Sequence, residues 1–175
     1  GLGLMLLAGY TGQFSIGHAA FLGVGAYAQG VLTNLGVPFP LAMACAALLA
    51  AVVGVVVGLP ALRAKGIYLG IATLAFGFIV EEGFARWESV TGGNSGMSLR
   101  SPAIFDWRIT SGEGFYFICL VTAVLSTLAI LNLLRSSTGR AFVAIRDSEI
   151  SAQSMGVNLA RYRSLSFALS AALVG

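Results

Sequence analysis

Polar side chains are gathered in one otherwise apolar stretch of the chain. They alternate with glycines, and they are Tyr10, Thr11, Gln13, Ser15, His18 and Tyr27. At membrane depth such groups must face other protein groups or a water-filled path, and glycine lets a membrane helix bend or break. The pattern fits a broken helix lining a translocation path, with Gln13, Ser15 and His18 nearest the path. Close helix packing, with the hydroxyls bonded to their own backbone, fits equally well.

A second candidate segment runs from Arg135 to Gly156. Its apolar positions recur every three to four residues, as in an amphipathic helix: Phe142, Ile145, Ala152 and Met155. Ser137 or Thr138 can cap the start of this helix, and Gly156 is placed to end it. The helix could rest on anionic lipid headgroups or dock into a groove of a partner protein. The residues leave both interpretations open.

Other kinds of chemistry are disfavoured. There is no GxxxxGK[ST] phosphate loop, and Lys65 is the sole lysine. His18 is the sole histidine, so it cannot assemble a metal site. No nucleophile elbow or basic, aromatic-rich nucleic-acid surface is found. We therefore expect no catalytic residue, no cofactor, no metal and no nucleic-acid partner. The adjacent Glu81 and Glu82 are interpreted as solvated carboxylates at a helix end.

The elements that must position these residues are apolar helices. Hydrophobic residues make up 57% of the chain and charged residues 10%, against about 25% charged in soluble domains. No charged residue occurs from Gly1 to Leu62. About 20 apolar residues cross a bilayer, and this length predicts spans near 1–9 (partial), 14–33, 39–59, 66–82, 115–134 and from about 164 (partial). Cys45 and Cys119 lie in these runs and are expected to be buried packing thiols.

The fold predicted is therefore all-α: a polytopic transmembrane helical bundle of about five to six spans, with one Gly-rich broken helix and one cytoplasmic helix. We expect residues 1–175 to form a single domain. Both ends lie within apolar runs, so the chain is expected to be a fragment of a longer protein.

The basic residues set the expected orientation. Seven of the ten fall on one side of the predicted spans: Arg63, Lys65, Arg135, Arg140, Arg146, Arg161 and Arg163. The opposite side holds Arg86, Arg100 and Arg108 together with Glu81, Glu82, Glu88, Asp106 and Glu113. Because basic loops stay in the cytoplasm, segment 135–163 is predicted to be cytoplasmic. Segment 81–114 is then the outer loop, with tight turns at 91–96 and with Trp87 and Trp107 at the interface.

Four segments together resemble a known family. They are Gly9-Tyr-Thr-Gly-Gln-Phe-Ser-Ile-Gly-His-Ala-Ala-Phe21 with Gly25-Ala-Tyr27, then Gly58-Leu-Pro-Ala-Leu-Arg-Ala-Lys-Gly-Ile-Tyr-Leu-Gly-Ile-Ala-Thr-Leu-Ala-Phe76, then Thr91-Gly-Gly-Asn-Ser-Gly96, and Ser137-Thr-Gly-Arg-Ala-Phe-Val-Ala-Ile-Arg-Asp147 with Met155-Gly156. In this order they are similar to the signature segments of branched-chain amino acid ABC transporter permeases. The resemblance is to the LivM-like branch rather than to its LivH-like sister.

The resemblance implies a multi-pass protein of the bacterial inner membrane. Its implied partners are a LivH-like second permease subunit, two cytoplasmic ATPase subunits, an extracytoplasmic substrate-binding protein and membrane lipid. Residues 138–156 would be the segment that docks on the ATPase and moves as a rigid lever, through Gly139, Arg140, Arg146, Asp147, Glu149 and Gly156. The implied path residues are Gln13, Ser15, His18 and Thr73, and the implied turns facing the binding protein contain Gly92, Gly93, Asn94 and Gly96.

The implied cargo is leucine, isoleucine and valine, with ATP hydrolysed on the partner subunits. The same family includes permeases for urea and short amides, which remain an alternative. An ion-coupled secondary transporter would need a coupling-ion site, and the predicted spans contain no carboxylate pair for one. A channel or a purely structural membrane subunit is a further alternative.

Overall fold

The computed structural model describes residues 1–13, 15–61, 64, 66–96, 98, 103–104, 107–108 and 112–175. In chain order the elements are α1 (Leu2–Leu4), a π-helical turn (Met5–Tyr10), α2 (His18–Asn34), α3 (Phe39–Ala61), α4 (Ile67–Arg86), α5 (Glu88–Thr91), a 3₁₀ turn (Gly93–Ser95), β1 (Ala103–Ile104), β2 (Trp107–Arg108), α6 (Gly112–Arg135), α7 (Ser137–Asp147), α8 (Glu149–Ser154) and α9 (Leu159–Val174). The strands form a two-residue antiparallel pair. The all-α prediction is confirmed.

Within these ranges, three helices are long and apolar enough to cross a membrane: Phe39–Leu59, Ile67–Arg86 and Gly112–Arg135. The prediction of five to six spans is therefore too high. Helix α2 begins at His18 rather than near residue 14, and it has 17 residues. Helix α9 has 16 residues. At 1.5 Å rise per residue, each falls short of the roughly 30 Å hydrocarbon core.

The closest helix pair is α3 with α9, because α3 presents glycines where the two cross. A Cβ on Gly54 would lie 2.7 Å from the Ala171 Cβ, and one on Gly58 would lie 3.2 Å from the Phe167 Cβ. These glycines are four residues apart, which is the small-xxx-small spacing of close membrane-helix contacts. Phe167 and Ala171 are fully buried and pack in one core cluster with Leu7, Phe21 and Leu69.

The outer faces of α3, α4 and α6 are apolar and exposed. Helix α6 is the extreme case, since Ile130 is the only buried residue along it. Cys45 and Cys119 lie on exposed surfaces of α3 and α6, so the prediction that both are buried packing thiols is wrong. A bilayer explains the pattern, because lipid solvates an apolar face that water would not.

The amphipathic segment after α6 is two helices, so the prediction of one continuous helix over 138–156 is wrong. Ser148 is extended, with φ −160° and ψ 111°, and it separates α7 from α8. Its side chain accepts a hydrogen bond from the Ser151 amide and caps α8. The cap of α7 is Ser136, without a side-chain bond, rather than Ser137 or Thr138. Gly156 follows α8 at φ +85°, which confirms the predicted stop.

The apolar face of this segment is only partly as predicted. Phe142, Ile145 and Ala152 are buried against the bundle. Met155 is 85% exposed, and its neighbour on α8, Ile150, is 84% exposed. Met155 was expected on the buried face, but the break at Ser148 resets the helical phase, so residues of α8 no longer continue the face of α7.

The predicted outer loop begins with ordered turns. Thr91 is buried, and its hydroxyl donates to the carbonyl oxygens of Phe84 (2.6 Å) and Trp87 (2.8 Å). Gly92 and Gly93 both adopt positive φ, which confirms tight turns here. Glu82 is exposed and forms a 2.5 Å ion pair with Arg86, as expected of a solvated carboxylate. Of the residues used to predict orientation, Arg63, Lys65, Arg100 and Asp106 lie outside the described residues.

Candidate functional site

The predicted broken helix is present near the start of the chain. The π-helical turn ends at Tyr10, Gly12 takes φ +66°, and α2 does not begin until His18. We call residues 12–17 the unwound segment. The Thr11 hydroxyl donates back to the Leu7 carbonyl at 2.5 Å, and π-helical turns themselves often occur at functional sites.

Thr73 of α4 stabilises the unwound segment from the side. Its hydroxyl accepts a hydrogen bond from the Ile16 amide at 3.1 Å and donates to the Gly70 carbonyl at 2.9 Å. Gly17 lies directly against the Thr73 carbonyl, where a Cβ would overlap it. Non-helical backbone in an apolar environment needs such partners. Thr73 therefore supplies a hydrogen bond that the helix ladder has given up.

His18 connects the unwound segment to α9. Its Nε2 lies 2.7 Å from the Ser170 hydroxyl, and its Nδ1 lies 3.2 Å from the Ser15 hydroxyl. Ser170 also donates to the Gly3 carbonyl at 2.5 Å. Because that bond uses Ser170's only proton, Nε2 must be the donor to Ser170. With the proton on Nε2, Nδ1 accepts from Ser15 when the ring is neutral.

Gln13 makes the second connection to α9. Its Nε2 donates to the Ser166 hydroxyl at 3.5 Å, and Ser166 in turn donates to the Arg163 carbonyl at 2.8 Å. Gln13 Oε1 is buried and finds no hydrogen-bond partner among the described residues. An orphaned buried acceptor is costly in an apolar interior. It is therefore a point where a water molecule or a passing polar group would be favoured.

The polar cluster is defined here as Gln13, Ser15, His18, Thr73, Ser166 and Ser170, all of them buried. The structure thus brings the four predicted path residues together. Thr73 and Thr11 bond to their own helices, as in the packing interpretation, whereas Gln13 and His18 bond between helices. Sequence reasoning missed Ser166 and Ser170. The available signal was their four-residue spacing, which places both on one face of an apolar segment.

A cavity of about 420 Å³ lies beside the cluster, between α2 and α4. Its walls are mostly apolar, with small residues at the narrow points, and they include Ile16, Gly17, Gly23, Gly77, Phe78 and Phe84. Tyr27 and Glu81 supply polar groups in its lining. The dimensions and lining suit a small molecule with an apolar side chain and a charged end.

The first cytoplasmic-side connection is made by Arg146 of α7. Its Nη1 donates to the Gly9 carbonyl at 3.0 Å, and its Nη2 lies 3.0 Å from an Asp147 carboxylate oxygen. A Cβ on Gly12 would lie 3.2 Å from the Arg146 Cγ. Arg146 therefore binds the helix end that precedes the unwound segment, and Asp147 holds the guanidinium in place.

The second connection joins α8 to α9 through the ion pair of Glu149 with Arg163. Arg163 is buried. The remaining predicted docking residues sit around these two links. Arg140 and Asp147 are exposed, Gly139 packs against the backbone of Leu134, and Gly156 closes α8.

The predicted outer turns lie elsewhere. Gly92, Gly93, Asn94 and Gly96 follow α5, and a Cβ on Gly93 would lie 3.2 Å from the Ala85 carbonyl at the end of α4. No printed hydrogen bond joins them to the polar cluster. Across the described residues, no group of three or more His, Cys, Asp or Glu side chains could hold a metal ion.

Apolar helices of membrane-spanning length, an unwound segment stabilised by buried polar groups and an amphipathic arm define a multi-pass membrane protein of the transporter class. The family profile described as branched-chain amino acid transport system / permease component matches residues 1–175. The chain belongs to this family.

Individual relatives agree with the family match. The chain is 34% identical to the high-affinity branched-chain amino acid transport system permease protein LivM of Escherichia coli, with 100% of this chain and 47% of that protein aligned. Identity to LivM of Salmonella typhimurium is 32%, with the same coverage. A probable branched-chain amino acid transport permease protein LivM of Methanocaldococcus jannaschii is 29% identical over 97% of this chain and 50% of that protein. The chain spans about half the length of these relatives. No solved structure matches it.

Proposed function

We propose that this chain is part of the membrane-spanning permease subunit of an ABC importer in the bacterial inner membrane. The cargo would be leucine, isoleucine and valine, and ATP would be hydrolysed on separate partner subunits. The observation that carries the proposal is the polar cluster at an unwound segment, joined by Arg146 to an amphipathic arm, in a chain of this permease family. The permease itself would make and break no covalent bond.

The proposed path runs along the unwound segment, past Gln13, Ser15, His18 and Thr73. In the structure these side chains bond to one another or to neighbouring helices, so this arrangement corresponds to a closed path. Opening requires that α9 or α4 shift, so that some of these hydrogen bonds are exchanged for bonds to water or cargo. The apolar cavity between α2 and α4 would then receive the aliphatic side chain.

The proposed coupling segment is residues 135–163, with Gly139, Arg140, Arg146, Asp147, Glu149 and Gly156 as its working positions. Its exposed surface would dock on an ATPase subunit, while its buried surface holds Phe142, Ile145 and Ala152 against the bundle. A ligand state of the ATPase can shift the permease only through contacts that differ between two states. Arg146 and Arg163 provide such contacts, because each reaches the region of the polar cluster.

The proposed assembly contains a second permease subunit, two ATPase subunits and an external binding protein. The outer turns with Gly92, Gly93, Asn94 and Gly96 would face the binding protein. Their glycine-rich surface lets another backbone approach closely.

The test is reconstitution of the intact permease with the ATPases, second permease and binding protein encoded beside it. Uptake of radiolabelled leucine, isoleucine, valine and urea into proteoliposomes is measured with and without ATP, in the presence of ionophores. We expect ATP-dependent uptake of the three amino acids that ionophores do not abolish. Uptake of urea alone would overturn the cargo assignment, and uptake that needs an ion gradient rather than ATP would overturn the importer assignment.

A further inference from the structure

The link between α8 and α9 is a buried ion pair. Arg163 is 8% exposed, and its guanidinium pairs with the carboxylate of Glu149. A buried charge is tolerated only when it is paired. The two helices are therefore constrained to remain together at this point.

Little else packs the two helices against each other here. A cleft of about 600 Å³ lies between them, with Ile150, Gln153 and Val157 among the residues lining it. Glu149 and Arg163 line the same cleft. The ion pair thus bridges a gap that apolar side chains do not fill, so a displacement of α8 acts on α9 mainly at Arg163.

The face of α9 that carries Arg163 also carries both contacts to the unwound segment. Ser166 donates to the Arg163 carbonyl and accepts from Gln13, and Ser170 bonds to His18. Residues 163, 166 and 170 recur at three-to-four-residue spacing, so they share one helix face. Seven residues of α-helix span about 10 Å. The ion pair and the His18 contact are therefore two ends of one short, rigid element.

We propose that the Glu149–Arg163 ion pair transmits movement of α8 through α9 to the polar cluster, which makes Arg163 a positioning residue for transport. This inference rests on the proposed function, because it requires an ATPase to move α8. It adds a route distinct from Arg146, which reaches the other side of the break through the Gly9 carbonyl.

The test compares variants of the intact reconstituted transporter. Glu149→Gln/Arg163→Gln removes both charges without leaving either one buried alone, and Glu149→Arg/Arg163→Glu reverses the pair. Arg161→Gln is the matched control, since Arg161 is exposed on the same helix two residues away. Three quantities are measured: assembled complex, ATP hydrolysis, and amino acid transported per ATP.

We expect the neutral pair to assemble and hydrolyse ATP while transport per ATP falls roughly fivefold or more. The reversed pair should regain much of the ratio, and the control should keep it. A wild-type ratio in the neutral pair would overturn the inference while leaving the proposed function intact. Should the neutral pair fail to assemble, the ratio is measured on Glu149→Asp, which keeps the charge on a shorter side chain. An unchanged ratio there would overturn the inference equally. Absence of ATP-driven transport in the wild type would instead overturn the proposed function.

Discussion

Arg146 and Gly9 are 137 positions apart in the chain, and a 3.0 Å hydrogen bond joins the Arg146 guanidinium to the Gly9 carbonyl. The carbonyl belongs to the last turn before the unwound segment, where helix carbonyls lack intrahelical partners. A cation at such a helix end also interacts favourably with the helix dipole. One side chain of α7 therefore stabilises the helix end from which the break begins.

The first prediction concerns this bond. Arg146→Glu places a carboxylate against the Gly9 carbonyl, so the hydrogen bond is lost and repulsion takes its place. We expect transport per ATP to fall, while the amount of permease in the membrane stays near that of the wild type. The bond is partly exposed, so its loss should cost about 1–2 kcal/mol of unfolding free energy. Uptake, ATPase rate and membrane content are measured together.

Arg135→Gln is the control for Arg146, because Arg135 is an exposed basic residue at the end of α6. Asp147→Arg should resemble Arg146→Glu more weakly, since Asp147 only holds the guanidinium in place. Normal coupled transport by both charge reversals would show that this part of the arm carries no coupling.

The second prediction concerns the His18–Ser170 contact. Ser170→Ala removes the acceptor for His18 Nε2 and the donor to the Gly3 carbonyl. Two buried groups then lose their partner, so the unfolding free energy should fall by about 1–3 kcal/mol. Thermal denaturation of the purified protein in detergent measures the change.

A double-mutant cycle with His18→Ala separates this contact from other effects. Non-additive losses are expected, because each substitution removes the same hydrogen bond. Thr127→Ala in α6 is the control, since that hydroxyl is exposed and bonds only to its own helix in the described structure. Strict additivity of the His18 and Ser170 effects would contradict the contact.

The third prediction concerns the close approach of Gly17 to α4. A Cβ on Gly17 would overlap the Thr73 carbonyl, so Gly17→Ala must push α4 away from the unwound segment. Overpacking of this kind costs about 1–3 kcal/mol, and it should also weaken the Ile16–Thr73 hydrogen bond. Gly83→Ala is the matched control, because Gly83 lies in α4 with open space around it. Equal melting temperatures for the two variants would rule out the close approach.

The fourth prediction concerns the exposed helix faces. Nitroxide spin labels on Cys45 and Cys119, studied one at a time, should collide often with oxygen and rarely with a water-soluble nickel complex. This is the behaviour of a side chain facing lipid, where oxygen concentrates and a polar complex is excluded. Electron paramagnetic resonance power saturation measures both collision rates. Frequent collision with the nickel complex would place these faces in water.

Much of the fold was predictable because it depends on local composition. The uncharged stretch from Gly1 to Leu62 indicates apolar helices, and the glycines around Gln13 and His18 indicate the break. Span lengths were predicted less well, because hydropathy does not mark where a helix unwinds. Helix α2 starts at His18 since the preceding amides bond to Thr73 and to turns instead of continuing the ladder.

The contacts of the candidate site were predicted only in part. Residue type identified Gln13 and His18 as polar groups in an apolar setting, but their partners on α9 depend on how distant helices pack. The extended conformation of Ser148 was equally hidden, since Ser is compatible with helix, cap and turn. That single residue changes the helical phase and turns Met155 outward.

The central claim is that the arm lies in the cytoplasm and receives an ATPase subunit. Ile150→Cys places a thiol on the exposed surface of α8, in a background where Cys45 and Cys119 are alanine. A membrane-impermeant maleimide is applied to inverted and right-side-out vesicles, with and without the partner ATPases. The account predicts labelling only in inverted vesicles, and slower labelling once the ATPases are assembled. Labelling in right-side-out vesicles, or a rate that the ATPases leave unchanged, would contradict it.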